Sequence, residues 1–425
     1  MLTRDLPVHL TLTLACALAA ASAPVHAADS TVVVMLIDGF APAYIAEFDT
    51  PNFDRLMREG AWTHQMDPEF PTVSLINGVT ISTGCRPENH GIVTNMFIDP
   101  ERGLYDHSAD ADWLTDCEHM HQAAERQGVE SAVLGWYGAQ SSKRGAQASY
   151  VPSGEVAFGD FPDDAGRTSQ LVEQLGRSPG DRPRLILAYL KGPDDAGHFK
   201  GMNAPETRAA VESADTQVGR VLAAIDAQPD RDDIHLLITT DHGMVPVERV
   251  VNISRILRRH DISARPVSTG TASFLYFDRS DDAWQANVDE ALGKLSSYEQ
   301  FDVVRSDMQP SGWHIGSGPR VGDVIVSAHP PYFIEDISAF PWFLRWLEYV
   351  GPDFLASTAW LKATHGYPTG TPGIEGILYT RGSAFARGRE VESVRAIDIH
   401  PTVLHVLGIE PGQPVDGVVA TQLLR

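Results

Sequence analysis

Cysteine is scarce in this sequence, with three among 425 residues. Cys16 lies in the leading segment, so the rest of the chain has only Cys85 and Cys117. These two could pair in an oxidising compartment, but they are too few for a fold held together by a disulfide framework. The sequence also lacks repeats, low-complexity tracts and long linkers, so we expect no independent domains joined in series.

Positive charge is scarce as well. The chain has 33 Lys and Arg against 56 Asp and Glu, which gives a formal net charge of −23. A protein that holds nucleic acid by its phosphates needs clustered Lys and Arg, so we expect no binding of nucleic-acid duplexes. A small anionic substrate stays possible, because a bound metal ion would reverse the local field.

Beyond the leading segment, no hydrophobic run of the sequence is long enough to span a membrane. The apolar stretch at residues 10–21 follows Arg4 and precedes the small-residue pattern Val25-His26-Ala27. These features predict a signal peptide at residues 1–27. We therefore expect a periplasmic or secreted protein, with Cys16 leaving a lipoprotein open as the alternative.

Strand-like and helix-like segments alternate along the remaining chain. Buried strands are predicted for four apolar runs, at residues 31–37, 131–135, 184–190 and 233–240. Residues 204–225 have the apolar face of an amphipathic helix. This alternation predicts an α/β fold with a mostly parallel sheet and helices on both faces. Residues 244–364 have an irregular pattern, so we predict one domain over 28–425 with 244–364 as an inserted cap subdomain.

Acidic residues and histidines stand where the predicted strands end. The carboxyl ends of parallel strands meet at one edge of a sheet, where ligands and metals bind. Imidazole mixed with carboxylate favours zinc, whereas calcium and magnesium prefer oxygen alone. The sequence therefore predicts a two-metal site whose candidate ligands, at strand ends or in edge loops, are Asp38, Asp194, His198, Asp241, His242 and His365.

A candidate nucleophile lies in the segment Phe70-Pro-Thr-Val-Ser-Leu-Ile-Asn77. A hydroxyl is a poor nucleophile near pH 7 unless a base or a metal activates it. By residue type alone, both Thr72 and Ser74 remain candidates.

These segments, in this order and spacing, resemble the nucleotide pyrophosphatase/phosphodiesterase family (type I phosphodiesterases) of the alkaline phosphatase superfamily. The resemblance runs from Asp38-Gly39 to the segment Pro414-Val-Asp-Gly417. It implies an alkaline-phosphatase-like fold and an enzyme that hydrolyses phosphoric ester or diphosphate bonds in nucleotides or other small diesters. It also implies that Ser74 is the nucleophile and that Asn95, in His90-Gly-Ile-Val-Thr-Asn95, stabilises the developing negative charge together with the backbone N–H of residue 75.

The resemblance further implies a cofactor of two Zn²⁺ per chain. One zinc would be held by Asp38, Asp241, His242 and the Ser74 oxygen. The other would be held by Asp194, His198 and His365. Together these residues would support attack of the serine on phosphorus and hydrolysis of the resulting covalent intermediate.

Two departures from the family pattern bear on the substrate. Ser74 stands where most of the family has Thr, which keeps the attacking oxygen. Leu75 stands where the family has a Phe that stacks on a nucleobase. We therefore expect Leu75 to give the substrate site an apolar wall without a π-face. Phosphodiesters of choline or lipid type remain alternative substrates.

Other functions on this fold remain as alternatives. A phosphomonoesterase would need extra cations for the additional phosphate charge. A sulfatase is disfavoured, since Asn89 stands where its signature requires Arg, and a binding protein on an inactive fold would lack ligands that are present here. His119 and His121 are expected on a solvated helix face.

Overall fold

The protein is described from a computed structural model. The described residues are 30–106, 111–114, 116–141, 143, 146–153, 162–337, 345–357 and 361–425. The predicted signal peptide at 1–27 therefore lies outside the described residues.

The strands and helices are numbered along the chain. The strands are β1 (Thr31–Ile37), β2 (Ala61–Asp67), β3 (Phe97–Asp99), β4 (Gly103–Tyr105), β5 (Ser131–Leu134), β6 (Leu185–Leu190), β7 (Ile234–Thr239), β8 (Val245–Pro246), β9 (Arg249–Asn252), β10 (Arg265–Thr269), β11 (Ala272–Tyr276), β12 (Phe301–Arg305), β13 (Val324–Ala328), β14 (Tyr332–Glu335), β15 (Phe354–Ala356), β16 (Ala363–Thr364), β17 (Gly376–Arg381), β18 (Arg389–Glu390) and β19 (Val394–Arg395). The α-helices are α1 (Pro42–Glu47), α2 (Pro51–Glu59), α3 (Ser74–Thr83), α4 (Pro87–His90), α5 (Met120–Arg126), α6 (Asp164–Leu175), α7 (Asp194–Lys200), α8 (Pro205–Asp226), α9 (Ile253–Arg259), α10 (Trp284–Leu295), α11 (Trp346–Val350) and α12 (Ile399–Leu407).

The largest sheet has the strand order β18-β2-β17-β7-β1-β6-β5, with β19 also paired to β2. Strands β7, β1, β6 and β5 are parallel to one another. Strand β17 runs antiparallel to both β7 and β2. The predicted α/β fold with a mostly parallel central sheet is confirmed. Strand β2 and the reversed direction of β17 were not predicted.

Strand β1 shows why this sheet is covered on both faces. All seven of its residues are buried, and successive side chains point to opposite faces. Val32, Val34 and Leu36 belong to one apolar cluster, which also holds residues of α3, α5 and α12. The alternate residues of β1 belong to a second cluster, with residues of α2, α6 and α8. A continuous apolar run is therefore what a central parallel strand requires.

Residues 245–364 build smaller sheets beside the large one. Strands β10, β11, β13 and β12 form an antiparallel sheet, and β14, β9 and β15 form another. Their apolar side chains form a third cluster. Where this segment leaves and rejoins the large sheet, β8 pairs with β16. The assignment of 244–364 as an inserted cap subdomain stays a prediction.

Cys85 and Cys117 form a disulfide, the pairing that the sequence had left open. No helix in the described part of the chain has both the length and the apolar character needed to cross a membrane.

The expectation that His119 and His121 lie on a solvated helix face is wrong. Both side chains are fully buried, because α5 packs between β5 and α12. The His119 ring lies between Ser82 Oγ, 2.7 Å from Nδ1, and the Leu114 oxygen, 2.6 Å from Nε2. At the start of α5, the backbone N–H of His119 donates to the Gln122 side chain at 3.1 Å. Among the described residues, neither ring nitrogen of His121 or of the buried His400 has a hydrogen-bond partner.

We expect these buried imidazoles to make the protein sensitive to acid. Burial, with a smaller effect of His119, lowers the pKa of His400 to about 3, against about 6.5 in the unfolded chain. The neutral ring therefore contributes stability that is fully present above pH 6.5 and is lost as pH falls toward the folded pKa, by roughly 1.4 kcal/mol per pH unit for one proton. In His400→Gln, the slope of the unfolding free energy against pH between pH 6.5 and 4 should decrease by the amount that corresponds to one proton. His405→Gln, on an exposed position of the same helix, should leave the slope unchanged, and equal slopes in both variants would contradict this prediction.

Candidate active site

The carboxyl ends of three adjacent parallel strands bring the predicted acidic residues together. Asp38 follows β1, Asp241 follows β7, and Asp194 begins α7 just after β6. Gly39 has φ +64°, and a Cβ at this position would lie 2.7–2.9 Å from atoms of Asp194. The glycine after Asp38 therefore lets two carboxylates from neighbouring strands approach each other.

The three predicted histidines are held in one orientation by backbone carbonyls. The Nδ1 atom of His198 lies 2.9 Å from the Ala363 oxygen, and that of His242 lies 2.9 Å from the Gly243 oxygen. The Nδ1 atom of His365 lies 2.9 Å from the Thr72 oxygen. A carbonyl only accepts hydrogen bonds, so each Nδ1 is the donor and each Nε2 keeps its lone pair. This is the arrangement that metal-binding imidazoles have in proteins.

The carboxylates lie close together and leave oxygens without partners. Asp194 Oδ2 is 3.4 Å from His198 Nε2, and Asp194 Oδ1 is 3.7 Å from His365 Nε2. Asp194 Oδ1 and Asp241 Oδ2 are buried and have no hydrogen-bond partner among the described residues. Buried polar atoms are rarely left in this state unless a ligand or an ion takes the place of a partner.

The protonation behaviour of these groups has one main cause, which is burial. It raises the pKa of Asp38 well above the usual value, with Asp241 and Asp194 adding to the effect. It raises the pKa of Asp194 to about 6 although His198 opposes the change. It lowers the pKa of His242 to about 3. In the absence of cations, burial therefore favours the neutral forms of Asp38, Asp194 and His242.

Ser74 is the first residue of α3 and lies against this cluster. Its Oγ is 3.0 Å from His242 Nε2 and 3.3 Å from Asp38 Oδ1. The backbone N–H groups at the start of a helix favour negative charge. An oxygen at this position would therefore be stabilised as it develops negative charge.

Thr72 and Asn95 support Ser74 in different ways. Thr72 Oγ1 donates to the Tyr367 oxygen at 2.9 Å and accepts from the Gly366 N–H at 3.0 Å, so it fixes the loop that carries His365. Asn95 Oδ1 accepts from the backbone N–H of Leu75 at 3.3 Å. Because Asn95 Oδ1 is the acceptor in this bond, Asn95 can donate to a substrate through its Nδ2 amide. The bond also engages the N–H of residue 75, which had been expected to donate directly to the substrate.

Leu75 does not form the apolar wall that the sequence predicted. Its side chain is 2% exposed and belongs to a core cluster. The helix α3 is buried at all ten positions, so its second residue packs into the core while its first faces the cavity.

A cavity of about 570 Å³ opens over these groups. It is lined by Asp38, Val73, Ser74, Asn95, Met96, Tyr189, Lys191, Asp194, Asp195, His198, Phe199, Thr269, Gly270, Glu335, Leu361, Thr364 and His365. Sequence reasoning missed Tyr189, whose hydroxyl donates to Asp38 Oδ2 at 2.6 Å. The available signal was the position of Tyr189 near the carboxyl end of a strand beside β1. Sequence reasoning also missed Glu335, for which the sequence offered no signal.

The ligand atoms form two overlapping groups that could hold metal ions. Asp194, His198 and His365 form one group, and Asp38, Asp194 and His242 form the other, with the atoms of each group within 4.8 Å of one another. Asp241 adjoins the second group, with Oδ2 3.5 Å from His242 Nε2. Asp194 thus belongs to both groups, whereas the sequence placed it in one. The unpartnered carboxylate oxygens and the Nε2 lone pairs of the histidines suit metal ions.

A protein-family model described as type I phosphodiesterase / nucleotide pyrophosphatase matches residues 32–368. The chain belongs to this family. A type I phosphodiesterase is a hydrolase of phosphoric ester or diphosphate bonds, so the predicted family and enzyme class are confirmed.

Curated relatives of this type I phosphodiesterase match along most of its length. An uncharacterized pyrophosphatase/phosphodiesterase of Schizosaccharomyces pombe is 27% identical over 406 residues, covering 91% of this chain and 79% of the relative. Human ectonucleotide pyrophosphatase/phosphodiesterase family member 7 is 24% identical over 438 residues, covering 98% of this chain and 88% of the relative.

Solved structures show the same fold. Murine ectonucleotide pyrophosphatase/phosphodiesterase 5, an inactive variant in complex with AMP, superposes with a TM-score of 0.79 at 21% identity, covering 93% of this chain and 100% of that one. The human protein of the same name gives a TM-score of 0.78 at 21% identity, with the same coverage. The predicted alkaline-phosphatase-like fold is confirmed.

Proposed function

We propose that this type I phosphodiesterase is an exported two-zinc enzyme that hydrolyses small phosphodiesters, nucleotide-type esters among them, through a covalent intermediate on Ser74. The observation that carries the proposal is the position of Ser74 Oγ, 3.0 Å from His242 Nε2 and 3.3 Å from Asp38 Oδ1 beside two groups of metal ligands. The Cys85–Cys117 disulfide supports export, since such bonds persist in oxidising compartments.

The proposed ligand sets use the residues that converge on the cavity. Asp38, Asp241, His242 and Ser74 Oγ would hold one zinc, and Asp194, His198 and His365 the other. When bound, the two ions would lower the pKa of the serine hydroxyl and neutralise charge on the phosphate oxygens.

The chain's own groups orient and complete the reaction. The deprotonated Ser74 Oγ forms a bond to phosphorus as the bond from phosphorus to the leaving oxygen breaks, which leaves a serine phosphodiester that still carries the second alcohol. Water then breaks the bond between Ser74 Oγ and phosphorus, which frees the serine and releases a phosphomonoester of that alcohol. Asn95 Nδ2 is the protein donor for a phosphate oxygen as charge develops. The Tyr189 hydroxyl holds Asp38 in its rotamer through the hydrogen bond to Oδ2. The N-terminus of α3 stabilises negative charge on Ser74 Oγ.

The cavity favours a diester over a monoester. Among its described lining residues, Lys191 is the one with a permanent positive charge, and its Nζ lies 2.9 Å from the Asp195 carboxylate. A monoester carries an additional charge that finds no uncommitted cation there. Since Leu75 is buried, a nucleobase would also have to be recognised by other residues.

The test compares substrates on the zinc-loaded protein. We expect kcat/KM for thymidine 5′-(p-nitrophenyl phosphate) or p-nitrophenyl phosphocholine to exceed that for p-nitrophenyl phosphate by roughly a hundredfold, the effect of about two unmet charge-assisted contacts. A preference for the monoester would leave the family assignment intact and overturn the proposed reaction class.

A further inference from the structure

Glu335 brings a carboxylate from the 244–364 segment into the active-site cavity. It is the last residue of β14, where it pairs in register with Asn252 of β9. It lines the same cavity as Ser74 and Asn95. The metal ligands come from the large sheet and its edge loops, so Glu335 is not part of either ligand group.

The Glu335 carboxylate is half-buried. Across the described residues it makes no hydrogen bond and no ion pair. Burial, together with the adjacent Asp336, raises the pKa of Glu335 to about 7. A desolvated carboxylate without donors is destabilising, and such groups are often retained because a ligand supplies the missing partner.

The surroundings of Glu335 narrow the chemistry of that partner. Lys191 and Asp195 neutralise each other at 2.9 Å, so Glu335 gives the part of the cavity outside the metal ligands a net negative charge. The lining of the same cavity includes the apolar side chains of Met96 and Phe199. A group bound here should therefore be positively charged on a short apolar stem.

Hydrogen bonding distinguishes among cations. Recognition of a quaternary ammonium typically uses an aromatic cage, but the aromatic residues among the described lining are Tyr189 and Phe199, and the Tyr189 hydroxyl is engaged by Asp38. A carboxylate with no donors is better satisfied by N–H groups, which a primary ammonium supplies.

We propose that Glu335 is a specificity-determining residue that binds a protonated primary amine on the substrate, so that the preferred substrates are phosphodiesters of amino alcohols. The inference rests on the proposed phosphodiesterase function and names a substrate class for it. A soluble glycerophosphodiester and a phospholipid headgroup share this chemistry.

The experiment measures a preference within matched substrates. At pH 8, kcat/KM of the zinc-loaded protein is determined for the p-nitrophenyl diesters of 2-aminoethanol, propanol and choline. We expect the aminoethyl ester to exceed the propyl ester by about tenfold or more, the usual effect of one charge-assisted hydrogen bond in a desolvated site. The ratio should fall toward one in Glu335→Gln and stay high in Asp336→Asn, which removes a neighbouring charge that does not line the cavity.

Several results would overturn the proposal. A ratio of kcat/KM near one for the aminoethyl and propyl esters in the unmodified protein would do so without any variant. A ratio that Glu335→Gln leaves unchanged would show that the amine binds elsewhere. A higher kcat/KM for the choline ester that depends on Glu335 would show that charge alone is recognised. Glu335→Asp, which keeps the carboxylate, should retain part of the preference if Glu335→Gln fails to fold.

A binding measurement separates this inference from the proposed function. Dissociation constants for the aminoethyl and propyl esters on Ser74→Ala, from calorimetry, report the Glu335 contact without chemistry. Absence of Ser74-dependent turnover would overturn the phosphodiesterase proposal, while the ratio of dissociation constants would still decide the role of Glu335. Comparing glycerophosphoethanolamine with micellar lysophosphatidylethanolamine then distinguishes a soluble substrate from a lipid.

Discussion

Replacing Ser74 with alanine should lower kcat/KM for a p-nitrophenyl diester by roughly 10⁴-fold or more, the usual cost of deleting a nucleophile. The physical reason is that the attacking atom is removed, while Asn95 and the metal ions held by the remaining ligands would still bind the substrate. Steady-state kinetics on protein of measured zinc content would check the prediction. Metal analysis separates loss of the nucleophile from loss of a ligand, because Ser74 Oγ has both roles in the proposal.

Two matched variants sharpen this result. Ser74→Thr keeps a hydroxyl at the same atom and should retain turnover. Thr72→Ala removes the hydroxyl that joins Gly366 to Tyr367, so it should cost about 1–3 kcal/mol of stability while keeping substantial turnover. The nucleophile assignment is wrong if Thr72→Ala abolishes turnover and Ser74→Ala does not.

Removing the metal ions should abolish activity and destabilise the protein. Asp38, Asp194 and Asp241 would then face one another in a buried site without cations, and a ligand that binds only the folded chain stabilises it by mass action. Chelation should release two ions per chain, reduce turnover by about a thousandfold or more and lower the melting temperature. Added zinc should restore both properties. Full activity with well under two ions per chain would contradict the two-metal proposal.

The metal-free protein should also show a diagnostic dependence on pH. The folded pKa of Asp194 is raised to about 6, above about 3.9 in the unfolded chain. The protonated carboxyl therefore contributes stability that is present below the unfolded value and is lost as pH rises through about 6. Asp194→Asn should weaken this dependence in chelated protein, and titration of unfolding free energy against pH would measure it.

Local patterns in the sequence were sufficient for the strands that carry the site. The continuous apolar run of β1 and the residues that follow it could be predicted because each feature is contained within about ten residues. The direction of β17 and the existence of β2 could not be predicted, since antiparallel pairing depends on partners distant in the chain. Strand β2 also mixes buried and half-exposed positions, which gives a weaker pattern than β1.

Burial was the property that sequence reasoning judged least well. His121 looked like a surface residue because histidine is polar, yet helix α5 is covered on both sides. Leu75 was expected in the cavity because of its neighbour Ser74, but consecutive helical residues point in different directions. Asp194 lies within reach of both candidate ligand groups, and no local pattern could show this because its distance from Asp38 depends on the close approach at Gly39. Its assignment to one zinc stays a prediction.

The pairing of β8 with β16 has a consequence for how such enzymes diversify. Val245 pairs with Thr364 and Pro246 with Ala363, so the chain departs from the large sheet and rejoins it at adjacent positions. The ligands from Asp38 to His242 precede this junction, His365 follows it, and Glu335 lies between its two ends. On the proposed role of Glu335, substitutions confined to the residues between β8 and β16 would change which alcohol is accepted, while the proposed catalytic residues would stay unaltered.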